Sequence, residues 1–196
     1  MNRLLWLAAC LVIRLRRGRV PPPSLTGPVW YFAYGSYMNE RLFRVRRHMV
    51  WLQTRTGRLD GYRLAFTVAG GHRPGLSAPV NIVSSPGDSV FGVLYQLPLR
   101  KFARLDNSEG RQYGYLWTEV EDSEGHRVAA VTYQVAQTVA ETWVQTGAQT
   151  VAQTVAQTAA EGRPSRSYLN LIREAARQRG LPADYIARLD RVESRE

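Results

Sequence analysis

Two glutamates lie in the same tripeptide, Ser-Glu-Gly, but their surroundings differ. Glu109 follows an amphipathic segment and precedes the aromatic run "QYGYLW", whereas Glu124 lies beside Glu121 and Asp122 in the acidic stretch "EDSEG". Because apolar surroundings raise the pKa of a carboxyl group, Glu109 could exchange protons near neutral pH. Glu124 is expected to be solvated. From the residues alone, a surface glutamate stays the simpler interpretation of either.

The segment "WYFAYGSYMNERLF" contains a second chemical feature, the pair Gly35-Ser36 between strand-like and helix-like residues. A glycine turn that enters a helix presents free backbone N–H groups and the positive end of the helix dipole, which favours a small anion such as a carboxylate. Ser36 lies outside a G-x-S-x-G elbow and is a poor candidate for a nucleophile. The sequence contains neither a Walker loop nor a G-x-G-x-x-G motif.

Histidine and cysteine usage argues against a metal site. The three histidines, at positions 48, 72 and 126, share no ligand spacing with cysteines or carboxylates. Cys10 is the only cysteine, so the chain can form no intrachain disulfide, which fits a reducing compartment such as the cytoplasm. The sequence thus predicts neither a metal nor a cofactor-binding motif.

The formal net charge is +10, and it comes almost entirely from arginine. A nucleic-acid-binding protein is expected to cluster such charge on one face, but these arginines are scattered. One cluster, of Arg41, Arg44, Arg46 and Arg47, is interpreted as a solvated helix face. No nucleic-acid partner is expected. An arginine-rich protein that binds nucleic acid or a membrane surface stays an alternative, and it predicts binding that weakens steeply with salt.

Residues 1–28 are predicted to form an extension outside the core. The apolar run Leu4–Ile13 is followed by a basic and then a proline-rich stretch. A secretory signal has its positive charge before the apolar run, and a membrane-spanning helix needs about 18 apolar residues. No membrane contact is therefore expected through this extension, and the alternatives are a weak membrane-surface anchor or an artefact of an upstream start.

Alternating and helical patterns predict the elements of the core. A strand at Trp30–Tyr34 leads through the Gly-Ser turn into a helix from about Met38 to His48, and further strand-like runs follow. A helix begins at Pro98, because Leu99, Phe102 and Leu105 recur three residues apart. A hairpin folds around "EDSEG". Two C-terminal helices follow, the first between an N-cap at Ser165 and a stop at Gly180, and the second beginning at Pro182.

An imperfect tetrapeptide repeat, of the form Val-Ala-Gln-Thr, occupies about residues 135–162. It contains no acid–base or ligand chemistry, and Trp143 is its one large apolar side chain. Surface loops absorb insertions at small entropic cost, so the repeat is interpreted as an expansion in a surface loop. A strand, with Val and Gln on one face, and a projecting helix are the alternatives.

Five motifs in order, "YFAYGSYM", "LDGYRLAF", "NIVSSPGDSVFGVLYQL", "FARLDNSEG" and "GLPADYIARL", resemble the γ-glutamylcyclotransferase family. The resemblance implies an α+β fold, a small mixed β-barrel flanked by helices, over residues 29–196. It implies a cytoplasmic enzyme of glutathione-related metabolism, of the acyltransferase or amide-cleaving lyase type, with no cofactor. Its partner would be a small γ-glutamyl substrate, converted to 5-oxoproline and a free amine, and no oligomeric state is implied.

The same resemblance assigns roles to individual residues. Glu109 would be the acid–base catalyst, acting on the α-amine of the substrate as it attacks the γ-carbonyl. Tyr168 would line the substrate pocket. The loop that holds the γ-glutamyl group would comprise Tyr31, Phe32, Ala33, Tyr34, Gly35 and Ser36.

Tyr37 is the one departure from the family pattern next to this loop, because relatives have Asn after Gly-Ser. Asn tolerates unusual backbone angles and bonds its own turn, which Tyr does less well. A catalytically weak relative that binds a γ-glutamyl or other small acidic ligand is therefore the alternative function. The nature of the released amine stays open among γ-glutamyl amino acids, γ-glutamyl-lysine crosslinks and a γ-glutamyl-protected intermediate.

Overall fold

The computed structural model describes residues 27–68, 77–109, 113–135, 138–146, 149–157 and 160–196. The predicted extension lies almost wholly outside these residues, and so does Cys10. None of the helices in the described ranges is long and apolar enough to cross a membrane.

Five strands close into a barrel. They are β1 (Val29–Ala33), β2 (Gln53–Val68), β3 (Val80–Leu97), β4 (Tyr113–Asp122) and β5 (Arg127–Val135). The hydrogen-bonded order is β3-β1-β5-β4-β2, and β2 also pairs with β3, which closes the ring. The β1–β5 pairing is parallel, and the other pairings in the ring are antiparallel. The expected small mixed barrel is confirmed, and so is the hairpin of β4 and β5 around "EDSEG".

Three helices flank the barrel: α1 (Leu99–Ser108), α2 (Arg166–Gln178) and α3 (Ala183–Asp190). Each follows the predicted signals. Pro98 precedes α1, and the Ser165 side chain accepts a hydrogen bond of 3.3 Å from the N–H of Tyr168. Gly180 follows α2 with a φ of 64°, a left-handed conformation that glycine adopts at little cost. The apolar faces of α1 and α2 pack into the same core as the barrel strands.

The helix expected from about Met38 to His48 is present only in part. The chain forms a 3-10 turn, Ser36–Met38, and then a short helix over residues 40–46, of which Leu42–Arg46 is π-helical. Asn39 separates them with an extended backbone, and its Oδ1 accepts a hydrogen bond of 3.0 Å from the N–H of Leu42. The Tyr95 hydroxyl lies 3.2 Å from the carbonyl oxygen of Tyr37 and 3.3 Å from that of Met38, so a side chain engages carbonyls that a helix would use. No continuous helix dipole therefore stands behind Gly35-Ser36.

The tetrapeptide repeat forms strands. β6 (Thr138–Thr146) and β7 (Gln149–Gln157) pair antiparallel in a two-stranded sheet, and β8 (Ala160–Glu161) pairs with the end of β2. These residues are thus strands and not loop, as in the strand alternative, and the interpretation of the repeat as an inserted expansion stays a prediction. Val and Thr favour extended backbone, which explains the pairing. The surroundings of the Trp143 side chain lie outside what the structure describes.

Gly92 marks the tightest contact between β1 and β3, and replacing it is expected to destabilise the barrel. A Cβ atom at this position would lie 2.4 Å from the carbonyl oxygen of Ala33 and 2.8 Å from the ring of Phe32. Gly92→Ala should lower the free energy of unfolding by about 1–3 kcal/mol, measured by chemical denaturation. Without that clash, Ala would stabilise a strand relative to Gly. An unchanged or higher stability would contradict the packing at β1.

Candidate active site

A cavity of about 700 Å³ opens where the end of β1, the start of β3, the end of α1 and the start of α2 meet. It brings together most of the residues singled out in the sequence. Its lining includes Tyr31, Tyr34, Gly35, Ser36, Glu109 and Tyr168. These residues are up to 137 positions apart in the chain, so the fold assembles one site from separate motifs.

Phe32 and Ala33 are the two predicted loop residues outside the described cavity lining. Both are buried in the barrel core. Successive side chains of a strand point to opposite faces, so Phe32 points away from Tyr31. The Phe32 carbonyl accepts a hydrogen bond of 2.7 Å from the Thr132 hydroxyl. Phe32 and Ala33 thus anchor β1, which ends at the cavity, in the barrel core.

Glu109 reaches the cavity because α1 ends immediately before it. Its N–H donates to the Asp106 carbonyl at 3.3 Å, and its own backbone is extended, so the chain turns out of the helix there. Asp106 is buried and accepts a hydrogen bond of 3.1 Å from the Tyr133 hydroxyl. This bond ties the end of α1 to β5. The Oε1 atom of Glu109 is shielded from solvent.

Six tyrosines line the same cavity as the Glu109 carboxylate. Burial raises the pKa of each of them, and the negative charge of Glu109 raises it further; they are Tyr31, Tyr34, Tyr37, Tyr113, Tyr133 and Tyr168. These hydroxyls therefore stay protonated at physiological pH. Three of them already donate to protein acceptors, Tyr34 to the Tyr133 carbonyl, Tyr113 to the Val80 carbonyl and Tyr133 to Asp106. Glu109 is the one acidic residue in the described lining of the cavity. The site thus combines a single carboxylate with neutral phenols.

Tyr168 connects the Gly-Ser turn to β3. Its hydroxyl bonds the Ser36 side chain and accepts a hydrogen bond of 3.4 Å from the N–H of Val80. The turn itself is closed by the N–H of Met38, which donates to the Gly35 carbonyl at 3.0 Å. Gly35 has a φ of −113°, outside the left-handed region that favours glycine. Its close packing excludes a side chain, because a Cβ atom would lie 2.5 Å from Cγ1 of Val80.

Tyr37 lines the cavity, and its contacts are well defined. Its ring centroid lies 5.4 Å from that of Phe43, and the guanidinium carbon of Arg47 lies 5.2 Å from the centroid of the Tyr37 ring. Its carbonyl oxygen is held by the Tyr95 hydroxyl, and that hydroxyl accepts a hydrogen bond of 2.9 Å from Arg179. The turn after Gly35-Ser36 is thus fixed by Tyr95 and Arg179 without an asparagine at this position.

Sequence reasoning missed four lining residues that could contact a ligand: Tyr113, Tyr133, Arg46 and Arg47. The alternation of "QYGYLW" and "VTYQV" predicted strands that bring aromatic side chains together, but not which face meets the cavity. The two arginines belong to the cluster interpreted as a solvated helix face. That interpretation fits Arg41 and Arg44, which are exposed and outside the cavity lining, and it is incomplete for Arg46 and Arg47.

A group of possible metal ligands lies outside the cavity lining. The β4–β5 turn brings Asp122, Glu124 and His126 together, with ligand atoms within 4.8 Å of one another. Asp122 already accepts hydrogen bonds of 2.9 Å from the N–H groups of Glu124 and His126, and its carboxylate also pairs with Arg55. Burial raises the pKa of Asp122, but these bonds outweigh burial and the net pKa is lowered. The contacts stabilise the turn and explain this cluster without a metal.

Comparison with known proteins defines the family. The model of the AIG2-like family matches residues 89–189, just over half of the chain, and the chain belongs to this family. The match includes Glu109 and Tyr168. The family assignment made from the five motifs is confirmed.

Named relatives are γ-glutamylcyclotransferases. A gamma-glutamyl cyclotransferase of Aspergillus oryzae is 31% identical over 169 residues, a match that covers 82% of this chain and 60% of that protein. The gamma-glutamylcyclotransferase of Bos taurus is 28% identical over 173 residues, covering 83% and 78%. A solved structure named gamma-glutamyl cyclotransferase superposes with a TM-score of 0.67 at 22% identity, covering 86% of this chain and 90% of that one. The last comparison shows that the fold is shared.

Proposed function

We propose that this protein is a γ-glutamylcyclotransferase, which converts γ-glutamyl amino acids or amines to 5-oxoproline and the free amine. The observation that carries the proposal is the Glu109 carboxylate, which lines a tyrosine-rich cavity together with the Gly35-Ser36 turn. The named relatives support the same activity. The small γ-glutamyl substrate is the only partner that the proposal requires.

The proposed reaction is an intramolecular acyl transfer. The α-amine of the γ-glutamyl group attacks its own γ-carbonyl carbon, a five-membered ring closes, and the bond to the departing nitrogen breaks. Effective molarities of well-oriented intramolecular reactions reach about 10⁵ M or more, so holding the folded conformer supplies much of the rate. Ring closure involves no oxidation or reduction, and the acyl group is transferred within the substrate. The reaction therefore requires no cofactor.

Glu109 would serve both proton transfers. As a carboxylate it takes a proton from the attacking amine, and as a carboxylic acid it returns that proton to the departing nitrogen. The Tyr31 hydroxyl, kept neutral by its raised pKa, would donate a hydrogen bond to the substrate. The Tyr34 and Tyr113 hydroxyls already donate to the carbonyls of Tyr133 and Val80, so they would accept hydrogen bonds from the substrate. The N–H groups of Gly35 and Ser36 would bind the α-carboxylate or the oxyanion that forms at the γ-carbonyl.

A panel of γ-glutamyl amino acids and γ-glutamyl amines tests the proposal. Purified protein at high concentration should release 5-oxoproline, identified by mass spectrometry, from at least one member of the panel. No 5-oxoproline from any member would contradict the proposal. Release of free glutamate in its place would identify a hydrolase.

The second candidate function is a weak relative that binds a γ-glutamyl or other small acidic ligand, and Tyr37 is the observation that favours it. This side chain forms part of the cavity lining. The resemblance to the γ-glutamylcyclotransferase family, drawn from the sequence motifs, places Asn at this position in the family pattern. On this account, Tyr37 would obstruct the substrate and leave binding as the remaining activity.

Tyr37→Asn separates the two functions. Because Tyr95 and Arg179 hold the turn, we expect the substitution to change kcat/KM by less than about tenfold, or about 1.4 kcal/mol. Loss of the ring contact with Phe43 should lower stability by about 1 kcal/mol. An increase in kcat/KM of several orders of magnitude would favour the weak relative. The two readouts are steady-state kinetics and thermal unfolding.

A further inference from the structure

The cavity carries two positive charges that the proposed reaction does not use. Arg46 and Arg47 lie at the end of the π-helical segment Leu42–Arg46 and line the same cavity as Glu109. Arg46 is exposed and Arg47 is half-buried, whereas Tyr31, Tyr34 and Tyr133 in the same lining are buried. The arginines therefore occupy the outer part of the cavity, and the buried tyrosines form its inner part.

Neither arginine is neutralised by a neighbour within the described residues. Arg44 of the same segment pairs with Glu40 at 2.8 Å, but Arg46 and Arg47 form no ion pair with any described carboxylate. Arg47 contacts Tyr37 through its ring and its hydroxyl. An anion in the outer cavity would thus meet two guanidinium groups without displacing a described carboxylate.

The geometry of the proposed reaction determines which part of a substrate lies there. The α-amine and the γ-carbonyl must lie next to Glu109, and the γ-glutamyl α-carboxylate is assigned to the Gly35-Ser36 turn. The departing group then extends outward. When that group is an α-amino acid, the released nitrogen and its carboxylate are bonded to the same carbon atom, Cα. Guanidinium groups bind carboxylates through paired N–H donors, which gives both affinity and orientation.

We propose that Arg46 and Arg47 bind the carboxylate of the departing amino acid, so that the enzyme prefers γ-glutamyl amino acids to γ-glutamyl amines that lack this group. The inference rests on the proposed cyclotransferase activity and narrows its substrate class. The two residues act as specificity determinants, whereas Glu109 performs the proton transfers. Because the arginines lie in the solvent-accessible part of the cavity, added salt should weaken the preference.

The test compares γ-glutamyl-alanine with γ-glutamyl-ethylamide, which differ only in the carboxylate of the departing group. We expect the wild-type protein to show a kcat/KM at least about tenfold higher for the alanine compound. Arg46→Gln and Arg47→Gln should each lower the ratio of the two kcat/KM values by about fivefold, and the double substitution should remove the preference. Arg41→Gln is the matched control, because Arg41 belongs to the same cluster but lies outside the described lining.

The possible results distinguish failure of the specificity proposal from failure of the proposed cyclotransferase activity. A wild-type ratio near one, or a ratio that stays at its wild-type value in both arginine variants, overturns the specificity proposal alone. A parallel loss with both substrates would also overturn it, because the arginines would then serve the γ-glutamyl half. No 5-oxoproline from either substrate would contradict the proposed function itself. Arg46 is exposed, so its substitution should leave thermal unfolding unchanged and keep the test valid even if Arg47→Gln disturbs Tyr37.

Discussion

Glu109→Gln is expected to lower kcat by about 10³-fold or more and to leave the fold intact. The amide keeps the size of the side chain but can neither take a proton from the attacking amine nor return one to the departing nitrogen, and such proton transfers contribute about 10²- to 10⁴-fold. Substrate affinity should change much less, because the γ-glutamyl group is held by the turn and the tyrosines. Single-turnover kinetics with 5-oxoproline detection, over a range of substrate concentrations, measures the rate and the affinity. Circular dichroism checks that the fold is intact.

Glu124 offers a matched control for this substitution, since it lies in the same Ser-Glu-Gly tripeptide but outside the described lining of the cavity. It is exposed in the β4–β5 turn, 3.5 Å from Arg55. Glu124→Gln should retain wild-type kcat and KM. If Glu109→Gln also retained turnover, Glu109 would be excluded as the acid–base group, and the mechanism proposed for this site would be wrong.

Gly35→Ala is expected to lower kcat/KM by about 10- to 100-fold, through displacement of the turn. The new Cβ atom would lie 2.5 Å from Cγ1 of Val80, so the turn or the start of β3 must shift. A displacement of about 1 Å near a reacting group can cost about 10²-fold in rate. The φ of −113° carries no penalty for alanine, and steric crowding is therefore the only expected cause.

A second substitution tests that cause. Val80→Ala removes Cγ1 and makes room for the methyl group, so the double variant Gly35→Ala/Val80→Ala should recover most of the activity that Gly35→Ala loses. The comparison is a double-mutant cycle on kcat/KM, and it should show a coupling of at least about 1 kcal/mol. Additive losses would mean that Gly35 is needed for a reason other than its distance from Val80.

Local sequence patterns predicted the helices and strands whose signals lie within a few residues of one another. The spacing of Leu99, Phe102 and Leu105, the N-cap at Ser165 and the stop at Gly180 each act within a few residues, and each is present in the structure. The barrel and the roles of Glu109 and Tyr168 came from the order of five motifs, because no short-range pattern indicates that these two residues share a cavity.

Tertiary contacts account for the failures. The expected helix after Ser36 is interrupted because Tyr95, from β3, bonds the carbonyls of Tyr37 and Met38. Sequence spacing could not predict a competitor 57 residues away. The repeat forms strands because its two halves can pair with each other, as Thr138 does with Gln157.

Cyclisation by the substrate's own amine is the central claim, and turnover in H₂¹⁸O tests it most directly. If the α-amine attacks the γ-carbonyl, no water oxygen enters the product, and mass spectrometry should find 5-oxoproline without ¹⁸O beside an equal amount of free amine. Attack by water would produce glutamate that carries ¹⁸O, and later spontaneous closure of that glutamate would leave label in part of the 5-oxoproline. Labelled glutamate or labelled 5-oxoproline as the main product would contradict the claim.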